Sequence, residues 1–153
     1  MVHQQTTYRK LMVYTTSVTN GATAAGFVDT SGYDYAVISV YMTTADAVSN
    51  KPATLRILEM DNTLAGNSTQ ATFYATISGF VSGTDYTIPN AITAATSITQ
   101  PFATFAVDCK NRKRYIRVEV SPVTTQIISA VADLGRAEQS PAFTSLATVT
   151  CVG

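Results

Sequence analysis

From Tyr115 to Val120 the chain alternates without a break, with Ile116, Val118 and Val120 on one side and Tyr115, Arg117 and Glu119 on the other. A period of two is what a half-buried strand requires, because successive side chains of an extended backbone point to opposite faces. The run DYAVISVYM from Asp34 to Met42 differs in being apolar on both sides, and it predicts a central strand covered on both faces. Four further strands are predicted at Gln4 to Val18, Ala53 to Met60, Phe102 to Val107 and Thr124 to about Ala132, and a last one near Thr144 to Val152. Ala53 to Met60 reads as the neighbour of the central strand, joined to it by a hairpin-like or Greek-key step. Asp108 to Lys113 reads as a turn that reverses the chain.

Between these runs lie turn-rich stretches. Asn20 to Gly32 holds three glycines and a short apolar island at Phe27 and Val28, enough for loop with one short strand. Asp61 to Gln100 scatters Phe73, Ile77, Phe80 and Tyr86 among Ser, Thr, Asn and Gly, which predicts short strands and long loops. Thr124 to Gln139 is ambiguous, since Ile127, Ile128, Val131 and Leu134 also fit a helical stripe, but Pro122 and Gly135 leave room for little more than two turns. About eight short strands separated by turn signals predict an all-β fold: one antiparallel β-sandwich of jelly-roll type over residues 1–153, with a flexible N-terminal arm at residues 1–5.

Composition strengthens this reading. The chain has 25 threonines, and a β-branched side chain suits a pleated strand better than a helix. Charged residues make up only 13% of it, about half the usual share, so much of the surface is neutral. A net charge of zero provides no global pull toward nucleic acid or an anionic membrane, and no apolar run approaches the length of a membrane-spanning helix. Weak charge near neutrality favours self-association, so assembly into a homo-oligomer is expected. The N-terminus shows no leader pattern, and Cys109 and Cys151 lie far apart with no metal-ligand spacing, which predicts free thiols in a protein made in a reducing cytoplasm.

Catalytic chemistry has little to draw on. The one histidine is His3, in the expected arm, where no third group would hold an imidazole against a nucleophile. Zinc lacks ligands, Gly79 and Gly83 lack the lysine and helix of a phosphate loop, and Glu59 with Asp61 reads as a solvated or calcium-contacting strand edge rather than a glycosidase pair. The expectation is a protein with no enzyme activity and no cofactor. Two features remain. CKNRKRYIR packs Lys110, Arg112, Lys113, Arg114 and Arg117 into eight residues, five of the chain's ten cations. It is either a solvated hairpin turn neutralised by Asp108 and Glu119 or a contact for an acidic protein surface, with Lys110, Arg112, Lys113 and Arg114 as the partner-binding residues. Tyr33, Tyr35 and Tyr41 are either core and interface packing or a sugar-stacking platform.

Four runs together carry a family likeness: YDYAVISVYMTTADA at Tyr33 to Ala47, LRILEMD at Leu55 to Asp61, AVDCKNRKRYIRVEV at Ala106 to Val120, and AVADLGRAEQSP at Ala130 to Pro141. Over residues 33–141 the chain resembles the small jelly-roll decoration, or cement, proteins of tailed-phage capsids. The resemblance implies a virion protein without an active site that sits on the outer capsid surface and bridges neighbouring major capsid protein subunits, as a trimer ahead of a dimer. The alternative is a carbohydrate- or receptor-binding β-sandwich module of a phage tail.

Overall fold

The computed structural model describes residues 8–42, 51–61, 75–77, 79–88 and 101–136. All regular structure in these residues is β: β1 (Tyr8–Val18), β2 (Ala24–Asp29), β3 (Tyr35–Met42), β4 (Thr54–Met60), the two-residue β5 (Ala75–Thr76), β6 (Ala103–Asp108), β7 (Tyr115–Ser121) and β8 (Gln126–Gly135). They form two four-stranded sheets, ordered β1-β8-β3-β6 (sheet A) and β2-β7-β4-β5 (sheet B), and every pairing is antiparallel. Strand 1 pairs with 8, 2 with 7, 3 with 6 and 4 with 5, so the chain is a nested ribbon wound over itself, the pairing expected of a jelly roll. The expected N-terminal arm and the strand near Thr144 to Val152 lie outside the described residues.

The inner faces follow the period-two pattern. Ala36, Ile38 and Val40 of β3 and Ile116, Val118 and Val120 of β7 are fully buried, as the alternation requires. Phe105 from sheet A meets Phe80 and Tyr86 from the segment after β5, at centroid distances of 6.2 and 5.5 Å, and these rings fill one end of the core. The Tyr86 hydroxyl keeps its partner while buried by donating to the Leu55 carbonyl.

Three sequence expectations are corrected. Ala53 to Met60 is not the sheet neighbour of the central strand: β3 lies between β8 and β6, and β4 lies between β7 and β5 on the opposite layer. Likewise Asp108 to Lys113 does not close a hairpin, because β6 and β7 belong to different sheets and the turn carries the chain across the sandwich. A period-two pattern reveals that a segment is a strand but not its neighbour, since any antiparallel partner buries the same face. The third correction concerns β8, which runs as strand to Gly135 and not only to Ala132; paired on both sides by β1 and β3, it has no helical stripe.

Gly135 is held in the strand by a close approach. It lies opposite Tyr35 on β3, and a Cβ built on it would come within 2.0 Å of the Tyr35 ring, so the ring occupies the space of the missing side chain. Gly135→Ala is therefore expected to push Tyr35 off its seat and to cost about 1–3 kcal/mol of stability by overpacking, read as a lower urea midpoint. An unchanged midpoint would show that the ring swings aside freely. A different need acts at Gly32, where Tyr33 N–H donates to Thr30 C=O at 3.0 Å and Gly32 has φ 83°, the left-handed third position of a type II turn.

Candidate interaction surfaces

The basic turn bridges the two sheets at one end of the sandwich. Its start is local: Asp108 Oδ1 accepts from the Lys110 N–H at 3.0 Å, and the Arg112 N–H donates to Cys109 C=O. Beyond it the cations reach to other strands. Lys113 binds the end of β4 twice, through its N–H to Glu59 (3.1 Å) and through Nζ to Asp61 (2.7 Å). Arg114 makes a two-pronged pair with Asp29 at the end of β2, Nε to Oδ1 at 3.0 Å and Nη2 to Oδ2 at 2.7 Å, and its guanidinium lies 5.0 Å from the Tyr115 ring centroid. The guanidinium beside Asp29 holds that carboxyl below its ordinary value. Lys113 and Arg114 are thus engaged in tying the corner to its own domain. Lys110 is exposed, and its ammonium pairs with no carboxylate among the described residues.

Glu119 behaves otherwise than its sequence suggests. It stands on the outer side of β7, yet its side chain is only 7% exposed, because Arg56 from β4 and Arg117 from its own strand close over it. Arg56 Nε donates to Oε2 at 2.7 Å and Arg117 Nε to Oε1 at 2.6 Å, so the carboxylate neutralises Arg117, one of the five clustered cations, and is shared with Arg56 from β4. The true counterparts of the turn, Asp29 and Asp61, are 85 and 52 residues away from their partners. No local signal could have named them.

The outer face of sheet A is of a different kind. The register aligns Met12, Val131, Ser39 and Thr104 in one row across β1, β8, β3 and β6, with Thr15, Ser129 and Tyr41 in the row on one side and Lys10, Asp133, Val37 and Ala106 on the other. Lys10 and Asp133 neutralise each other at 3.8 Å, and Tyr8 donates to Asp133 at 2.6 Å. The two middle rows carry no charge. Met12 is 65% exposed and Ile127, further along β8, 45%. The expectation that β3 is covered on both faces is therefore met in full on the core side only; Val37 and Tyr41 are partly exposed on this outer face. On the outward side of β4, by contrast, Leu58 and Met60 are buried.

The three tyrosines considered as a sugar platform do not form one surface. Tyr33 packs against the core, Tyr35 covers Gly135, and Tyr41 stands six residues further along β3, about 20 Å away at strand rise. A cleft of about 450 Å³ opens elsewhere, between Lys51, Pro52, Ser82, Thr87, Ile88 and Val123. No group of three or more His, Cys, Asp and Glu side chains meets among the described residues.

Cys109 is a free, buried thiol at the end of β6 whose Sγ donates to Val107 C=O at 3.6 Å. Burial, reinforced by the charge of Asp108, pushes the thiol up to about 12. The nucleophilic thiolate is thus scarce at ordinary pH. Native protein at pH 8 is expected to leave Cys109 unlabelled by iodoacetamide, as read by peptide mass spectrometry, and unfolding is expected to expose it. Rapid native labelling would contradict the buried placement. Cys151 and His3 lie outside the described residues.

No family model matches the chain, and no curated protein matches it either.

Proposed function

We propose that this chain is a non-enzymatic structural protein: a decoration, or cement, protein that sits on the outer surface of a tailed-phage head and bridges major capsid protein subunits. The observation that carries the reading is the outer face of sheet A, a broad and nearly uncharged surface of hydroxyl and apolar side chains spanning four strands. Such a face can be buried at little desolvation cost, unlike one lined with Lys and Glu. On a symmetric shell many modest contacts of this kind add up through effective concentration, so no single deep pocket is needed. The likeness of residues 33–141 to the decoration proteins supports the same reading. Lys110, exposed at the corner between the sheets, adds a cation that an acidic shell surface would attract.

The test is binding to heads of the phage that encodes the chain, stripped of this protein. Added back, the protein is expected to co-sediment with the heads at fixed stoichiometry and to raise their resistance to heat. Lys110→Glu is expected to lower occupancy, with a larger loss at low salt, where screening is weaker. Absence of co-sedimentation under all salt conditions would overturn the proposal.

A further inference from the structure

We infer that the outer face of sheet A packs against the same face of a second copy of this chain, as a two-fold pair. The inference concerns the same face as the assembly reading above, in the free protein: a copy paired through this face cannot also lay it on a shell, so shell binding would take the face only after the pair separates.

Four observations converge on a second copy. The first is the outer side of β3, apolar at Val37 and Tyr41: its neighbours add Val131, Met12, Ile127 and Ala106, of which Met12 and Ile127 are exposed and the rest partly buried, while Leu58 and Met60 on the opposite sheet are buried. The second is charge. A face that meets itself must not set like charges against each other. The two middle rows have none, and the row beside them carries the mutually neutralised Lys10 and Asp133. A partner recognised by charge would find in the two middle rows nothing to pair with and beside them only the paired Lys10 and Asp133, whereas an identical neutral face needs only shape.

Area is the third. Four strands spaced about 4.8 Å apart and about eight residues long present about 500 Å². Two such faces bury about 1,000 Å² in all, the lower limit for a specific interface. The fourth is relief. The protruding side chains, Met12 and Ile127, stand on β1 and β8, while in the row of Met12 β3 and β6 contribute the small Ser39 and Thr104, with Ala106 beside them. A two-fold axis parallel to the strands lays β1 of each copy over β6 of the other, so Met12 projects into the shallow ground at Thr104 and Ala106. Sheets stack face to face at about 10 Å in this nearly aligned manner inside sandwiches.

Sedimentation velocity over a wide concentration range tests the pair. The wild-type protein is expected to be a dimer that dissociates on dilution. Met12→Glu and Thr104→Lys are each expected to weaken it at least tenfold, with the urea midpoint unchanged at protein concentrations where the wild type is itself monomeric, because both positions lie on the outer face. The double variant Met12→Glu/Thr104→Lys is expected to recover the dimer, since each new charge faces its opposite across the axis. A wild-type protein that stays monomeric, one that forms a trimer, or a dimer indifferent to both single substitutions would overturn the inference. Shell binding is read separately: a dimer that ignores heads removes the decoration reading and leaves the pair standing, and a monomer that binds heads does the reverse.

Discussion

Phe105→Ala is expected to cost about 3–5 kcal/mol. Phe105 is fully buried on β6. Its ring is held edge-on by Tyr86 at an interplanar angle of 75° and lies against Phe80 at 54°. Removing it takes away the transfer free energy of a large apolar side chain and also leaves a cavity that Phe80 and Tyr86 cannot both collapse into. Tyr86 is fixed by its hydrogen bond to Leu55 C=O, and moving inward would orphan that hydroxyl. Domains of this size are stable by only about 5–15 kcal/mol, so the variant should sit close to its unfolding threshold at ambient temperature. Chemical denaturation with matched m-values checks it. A loss below about 1 kcal/mol would mean that this end of the core repacks, and the aromatic trio would then not be a rigid seam between the sheets.

Glu119→Ala is expected to cost about 2–3 kcal/mol, less than a fully enclosed ion pair because Arg56 is 52% and Arg117 19% exposed. The damage comes from the partners left behind. Arg117 loses a carboxylate acceptor in a setting with little water, and Arg56 loses a side-chain contact that joins β4 to β7 across the outer face of sheet B. A double-mutant cycle of Glu119→Ala with Arg117→Ala separates the two terms. Strong coupling is expected, with the double variant less damaging than the sum of the singles. Additive losses would show that Glu119 acts by shape alone.

The sequence by itself determined which segments are strands and which of their faces turn inward. Those properties depend on residue type and on a period of two, both local. The alternation from Tyr115 to Val120, the apolar core side of β3 and the Thr-rich composition were sufficient, and they were enough to predict an antiparallel sandwich. They could not fix which strand lies beside which. By pattern alone β4 passes for the neighbour of β3, and the basic turn for a hairpin, because burial of one face is satisfied equally by any partner. Nor could they show how consecutive apolar residues near Val13 are all packed toward the core: the register slips between Met12 and Tyr14, a bulge that lets Leu11, Val13 and Tyr14 share the inner side.

The candidate surfaces divide in the same way. The cations of the basic turn were legible as a cluster because they are contiguous. Their roles were not, because Asp29, Glu59 and Asp61 reach them only when β2 and β4 are placed at the same end of the sandwich. The neutral outer face of sheet A was the least legible of all. Met12, Ser39, Thr104 and Val131 lie far apart in the chain and carry no distinctive chemistry. Only strand order and register make them one surface, and those were decided by tertiary packing, where long-range contacts choose among pairings that local pattern leaves equivalent.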